Sequence, residues 1–188
     1  MNIYESVPEV KLNHFVIRKL VKSDADDLLT VYSDKRALPF FNSDNCHGDN
    51  FYYPTVERME SAVDFWEQSF RNGWFVRLSV VDQSANKAIG SVEVFLRTAE
   101  DAFDQTVLLR VDVGFDYENE SMLSELFSGL TLPALEWFGC QRIATKAPVY
   151  AVDRRNALQK AGYAESDCSL VGHDGTLYGH YWIYEKAV

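Results

Sequence analysis

The sequence predicts one α/β domain: a mixed, mostly antiparallel twisted sheet with helices on both faces. Three observations lead there. Residues 107–115 alternate as a strand, with Val107, Leu109, Val111, Val113 and Phe115 on one face and Leu108, Arg110, Asp112 and Gly114 on the other. After a short link the period changes to three and four, and Met122, Leu123, Leu126, Phe127, Leu130, Ala134, Trp137 and Phe138 form a helical stripe. Two helical segments and a strand hairpin precede this unit, and 188 residues are enough for one sizeable core.

Residues 1–13 read as a loose lead-in, which leaves residues 14–188 as the domain. Residues 14–20, HFVIRKL, form a first strand. Ser23 stands where a helix cap would, with Asp26 at the capping-box position and Ala25, Leu28, Leu29 and Tyr32 as the apolar stripe. Residues 35–54 break the pattern with Pro39, Gly48 and Pro54. This irregular stretch is nevertheless rich in Phe40, Phe41, Phe51, Tyr52 and Tyr53. Such a loop either serves a site or covers the edge of the core.

Residues 55–71 form a second helix with Met59, Ala62, Val63, Trp66 and Phe70 on one side, ended by Asn72-Gly73. Residues 74–81 and 88–97 are strands joined as a hairpin by DQSANK. The 107–115 strand then fits two descriptions: half-solvated, or buried with one paired polar site at Arg110 and Asp112. Ser121 is placed to cap the following helix, and Pro133 predicts a kink or a second helix start. RIATKA is a further strand, residues 153–161 a short helix closed by Gly162. Leu170-Val171 and residues 181–184 make a last hairpin around His173-Asp174-Gly175-Thr176, where Asp-Gly suits a type I′ turn.

Composition narrows the function. The formal net charge of −10 argues against nucleic acid, whose phosphates need clustered Lys and Arg, and favours cationic partners such as amines. Cys46, Cys140 and Cys168 are odd in number and form no C-x-x-C, which points to a reducing cytoplasm. No apolar run approaches the ~20 residues of a membrane span. His47 beside Cys46 and Asp49 matches no common metal spacing, so no metal is expected.

The strand, short loop and helix of residues 107–138, the opening SDADDLLTVYSD, the strand IGSVEVF and the segment LQKAGYAES together resemble the GNAT acetyltransferases, in particular the ribosomal-protein and small-amine N-acetyltransferase branch. The resemblance runs from about His14 to Lys186. It implies the acyl-CoA N-acyltransferase fold, acetyl-CoA as cosubstrate, and an amine of a small molecule or protein N-terminus as acceptor. In that family a loop reading R/Q-x-x-G-x-G/A cradles the coenzyme A pyrophosphate. Here the loop is Glu118, Asn119, Glu120, Ser121, Met122 and Leu123, and it departs at Glu118, Ser121 and Leu123. The family's splayed central strand binds the thioester and pantetheine arm through main-chain groups, a role that falls on Val111, Val113 and the Gly114–Phe115 peptide. The usual Asn and Ser of the later helix fall on Ala151 and Arg154, and the usual tyrosine on Leu158, with Tyr150 nearby as a substitute.

For the base that neutralises the amine, Asp112 and Glu93 are the candidates, with a structural ion pair involving Arg110 as the competing description. Lys146, Arg154 and Arg155 are candidates to replace the lost loop contacts to the pyrophosphate, against the alternative of an ordinary solvated helix start. Phe40, Phe41, Asp44, Phe51 and Tyr52, with Asp49, are expected to receive the acceptor cation. The degraded loop also admits a GNAT-like binding or regulatory module that has lost the cofactor. A third expectation is a dimer formed through the exposed edge of the last hairpin.

Overall fold

The computed structural model describes residues 2–187. The strands are β1 (Val10–Lys11), β2 (Phe15–Lys19), β3 (Val76–Asp82), β4 (Lys87–Arg97), β5 (Thr106–Val113), β6 (Arg142–Lys146), β7 (Ala164–Glu165), β8 (Leu170–Val171), β9 (Leu177–Tyr178) and β10 (Tyr181–Glu185). The helices are α1 (Ala25–Tyr32), α2 (Val56–Arg71), α3 (Glu120–Phe138) and α4 (Val152–Lys160). An eight-stranded sheet runs β1-β2-β3-β4-β5-β6-β10-β7; β8 and β9 form a small separate ribbon. Neighbours in the large sheet are antiparallel except β5 and β6.

Strand β5 is buried along its whole length, so of the two descriptions open to it the buried strand with a polar site holds. Val107, Leu109, Val111 and Val113 pack with Leu126, Phe127 and Leu130 of α3 and with Ala157 and Leu158 of α4. On the opposite face, Leu28 and Tyr32 of α1 and Met59, Val63 and Trp66 of α2 make a second cluster. Helices therefore lie on both faces.

Several elements differ from the expectation. Residues 2–13 are not loose: Ile3 is buried, β1 pairs with β2, and Leu12 packs against Gly129 of α3. Ser23 caps nothing. A short 3-10 turn, Lys22–Asp24, precedes α1, and the Asp24 carboxylate turns back to the Val21 N–H at 3.1 Å. Helix α3 is capped by Asn119, whose side chain accepts from the Met122 N–H at 3.2 Å, rather than by Ser121. It then runs unbroken through Pro133, held by packing on the sheet.

The last hairpin is also regrouped. The His173–Thr176 turn joins β8 to β9, while β10 pairs with β6 and, through Trp182 and Ile183, with β7. Its outer side is thus partly covered, and β7 forms the sheet edge where a second copy was expected to add. Among the described residues, no helix is long and apolar enough to cross a membrane.

Candidate active site

The ladder between β5 and β6 has two rungs, Val107 to Ile143 and Leu108 to Ala144, and then the strands part. Beyond that point β5 still pairs with β4. Because main-chain groups alternate along an antiparallel strand, and Gly114 N–H donates to Ile89 at 2.9 Å on the β4 side, Val111 and Val113 turn theirs into the gap. This is the splay that the sequence resemblance implied. The Gly114–Phe115 peptide contributes less, since the Gly114 carbonyl accepts from the Tyr117 N–H at 2.9 Å. Phe115 stands outside the strand in a 3-10 turn, a residue 40% exposed with the Arg36 guanidinium over its ring.

The gap contains a side chain. Arg154, from the first turn of α4, donates Nη1 to the Val111 carbonyl at 2.9 Å and closes a two-point pair with Glu118, Nε to Oε1 at 2.7 Å and Nη2 to Oε2 at 2.6 Å. Their side chains are 2% and 3% exposed. Burial opposes the charge on Arg154, and the Glu118 carboxylate overcomes it, holding the guanidinium above its ordinary pKa.

The expectation of a free cationic patch is therefore corrected. Arg154 is sealed against Glu118, and Arg155 is paired with Glu165 of β7 at 2.8 and 2.6 Å. Glu120 is held by Lys160 and Asn156 of α4. Leu123 does not face the loop; it is fully buried in the core beneath α3. Met122 is half-buried and Ser121 exposed.

The base candidates lie together on the α1–α2 side. Register places Arg77, Glu93 and Arg110 in one row across β3, β4 and β5, with Ser79, Ser91 and Asp112 in the next. Arg77 is the hub: it donates to Ser91 Oγ at 2.8 Å, Glu93 Oε2 at 2.8 Å, Tyr32 Oη at 2.7 Å and Asp112 Oδ2 at 2.5 Å. Arg110 donates to the other Glu93 oxygen at 2.6 Å and to the Asp44 carbonyl at 2.7 Å. Burial holds the Asp112 carboxyl above the usual carboxylate range, although Arg77 pulls it down.

Asp112 is fully enclosed, whereas Glu93 also lines an open pocket. The ion-pair description expected for these residues thus extends to a network whose centre, Arg77, sequence reading did not single out. Its one visible signal is a lone arginine inside the apolar run VRLSVV.

Two cavities flank this network. One, of about 250 Å3, is lined by Phe40, Phe41, Asp44, Lys146 and Tyr150. Asp44 is not free for a ligand cation: Lys146 Nζ sits 2.7 Å from each of its oxygens, and the Tyr181 hydroxyl donates to it at 3.1 Å. Tyr150 donates to the Pro39 carbonyl at 2.6 Å. The other cavity, of about 590 Å3, lies against Trp66, Phe51, Phe95, Glu93 and Arg110. Phe51 is core and pocket wall at once. Tyr52 lines neither cavity and packs beside Lys35. Among the described residues no group of three or more His, Cys, Asp and Glu side chains is placed to hold a metal, and the cysteines are unpaired.

No family model matches the chain, and no curated protein sequence matches it. Solved structures do. A GNAT-family acetyltransferase from Bacillus anthracis superposes with a TM-score of 0.69 at 14% identity, over 95% of this chain and 98% of that one. Ribosomal-protein-S5-alanine acetyltransferase from Vibrio fischeri gives 0.69 at 14% identity, over 95% and 97%. Mycobacterium smegmatis RimJ, solved in complex with CoA-disulfide, gives 0.71 at 12% identity, over 95% and 86%. With superposition over nearly the whole length of the chain, this protein has the fold of the GNAT acetyltransferases.

Proposed function

We propose that the chain is an N-acyltransferase that takes an acetyl group from acetyl-CoA and passes it to an amine of a small molecule or a protein N-terminus. The observation that carries this reading is the parting of β5 and β6, which turns the main-chain groups of Val111 and Val113 toward a gap in a fold that RimJ uses with a coenzyme A ligand. The fit to that group is divided. The gap suits an amide-bearing arm, with Val111 and Val113 as its partners. The loop does not suit a diphosphate, because Glu118 and Glu120 flank the start of α3. Entry of the cofactor requires Arg154 to leave the Val111 carbonyl.

When bound, acetyl-CoA supplies the acyl group already activated as a thioester. On this chain's side, Glu93 is the carboxylate that reaches a pocket and is assigned to receive the amine proton, with Arg77 and Arg110 fixing its orientation. A cytoplasmic setting belongs to the same proposal. The test is a melting curve with acetyl-CoA followed by mass-spectrometric detection of acetylated amines. Ligand at a hundred times its Kd stabilises a protein by about 2.7 kcal/mol. An upward shift, with Glu93→Gln folded but inactive, supports the reading.

One observation favours a second reading. The bidentate, buried Arg154–Glu118 pair fills the place where the cofactor arm would lie, as expected of a GNAT-fold binding module that has given up the cofactor. No melting shift at millimolar acetyl-CoA, together with a shift in Glu118→Gln, would decide for the module.

A further inference from the structure

The cavity of about 590 Å3 beside Glu93 falls within the roughly 300–1,000 Å3 range of small-molecule sites, and the reading above uses a single carboxylate of its lining. The lining changes in character from mouth to floor. Phe65 and Trp74 stand at the rim, 55% and 59% exposed. Phe51, Trp66 and Phe75 form the walls, and Phe95 and Glu93 of β4 belong to the floor. Two large aromatic side chains exposed at one cavity mouth mark a binding face rather than a solvent face. At the other end, each oxygen of Glu93 accepts one hydrogen bond, from Arg110 at 2.6 Å and from Arg77 at 2.8 Å. A carboxylate oxygen has two acceptor sites, so Glu93 keeps capacity for a further N–H donor.

The rest of the lining limits what else a ligand can carry. Asp49, the other carboxylate on it, accepts from Arg58 at 2.7 Å, the Phe51 N–H at 2.8 Å and the Tyr53 hydroxyl at 3.0 Å. The Asn45 side-chain oxygen accepts from the His173 N–H at 2.9 Å. The second ammonium of a polyamine would meet a carboxylate already engaged. A peptide would bring a row of main-chain donors and acceptors against aromatic walls, where unpaired polar groups are costly. Resting on the assignment of Glu93 as the group that takes the amine proton, we propose that the acceptor is a small aromatic monoamine. Its planar ring lies against Trp66, Phe75 and the Phe65–Trp74 rim, its amino group meets Glu93, and it has no second charge. The amine nitrogen bonds the acetyl carbon as the carbon–sulfur bond breaks; one N–H proton passes to Glu93 and the sulfur leaves as the coenzyme A thiolate. This narrows the acceptor from any amine to one class and sets a protein N-terminus aside.

The test compares 2-(2-naphthyl)ethylamine, spermidine and a short peptide with a free N-terminal alanine. Binding to the full chain is read by calorimetry without acetyl-CoA, and acetylated product by mass spectrometry with it. The naphthylethylamine is expected to bind at least about tenfold tighter than either rival, a difference of about 1.4 kcal/mol, and to be the preferred acceptor. Trp74→Ala and Phe65→Ala, both at exposed rim positions, should weaken its binding and raise its KM several-fold with unchanged melting temperature. Tighter binding of spermidine or the peptide, no binding of the naphthylethylamine at millimolar concentration, or an affinity indifferent to both rim variants would each overturn the proposal. The two ways of failing are distinct. Acetylation of spermidine or the peptide alone overturns this acceptor class and leaves acetyl transfer standing. Rim-dependent binding of the naphthylethylamine with no probe acetylated overturns the transferase reading, and the acceptor role with it.

Discussion

The carboxylate of Glu118 and the guanidinium of Arg154 meet edge to edge, at 2.7 and 2.6 Å, with both side chains all but excluded from solvent. The pair ties the loop before α3 to the first turn of α4, and the third arginine bond, to Val111, pins both to the central strand. Removing one member leaves the other buried and uncompensated. Arg154→Met is therefore expected to cost about 3–5 kcal/mol in urea unfolding. The double variant Arg154→Met with Glu118→Leu removes both charges and should recover most of that loss. A double variant no more stable than the single would show that the pair is not the source of the effect.

The start of α3 offers a sharper comparison, because two residues of cap-forming type stand two apart. Asn119 accepts from Met122, whereas Ser121 is exposed and already inside the helix. Asn119→Ala should lower unfolding stability by about 1 kcal/mol. Ser121→Ala should leave it unchanged or raise it slightly, since alanine is the better helix former. Equal losses at both positions in parallel urea titrations would contradict the assigned cap.

That ambiguity shows what sequence patterning conveys and what it does not. Period-two and period-3.6 patterns reflect burial, so β5, α2 and the long α3 are legible. Register and partner choice depend on residues far apart, which no local pattern reports. The Asp174-Gly175 turn was visible, but not that it serves β8 and β9 while β10 returns to β6. The site follows the same division. Glu93, Arg110 and Asp112 were legible as charges on apolar strands. Arg77 joins them only through strand pairing, and Arg154 reaches Glu118 across 36 positions of chain that no local pattern spans.

A hydrogen bond from the Tyr117 hydroxyl to Asp82 Oδ2, at 2.8 Å, should be visible from both ends of the pH scale. The Ser84 hydroxyl, with the Ala85 and Ser84 N–H groups and Tyr117, lowers the Asp82 pKa to about 2. Its unfolded value is about 3.9. Stability from this group is thus present above about pH 4 and lost as pH falls toward about 2. Partial burial, then the Asp82 bond, raises Tyr117 to about 12. Against an unfolded value of about 10, its share is complete below about pH 10 and lost on the way to about 12. Tyr117→Phe should remove the alkaline loss and move the Asp82 titration upward. Unfolding curves across pH and an NMR titration of Asp82 check the two limbs separately.

Close approach of β4 and β5 separates two glycines that sequence alone treats alike. At Gly90, opposite Val113, an added Cβ would collide with the Asp112 carbonyl oxygen and stand 2.8 Å from the Val113 Cα, and both are main-chain atoms that cannot rotate away. At Gly114 the nearest atom to an added Cβ is the Ile89 carbonyl oxygen at 3.6 Å, an ordinary contact. Gly90→Ala is therefore expected to cost about 1–3 kcal/mol, the range of overpacked interiors, by prying the strands apart beside Ser91 and Asp112. Gly114→Ala should be tolerated within about 0.5 kcal/mol in unfolding measurements. Because the Arg77–Asp112 pair depends on the same strand separation, Gly90→Ala should also increase amide exchange along residues 110–113, and Gly114→Ala should not. Similar stability and similar exchange in the two variants would mean that the two strands do not approach as closely as this register requires.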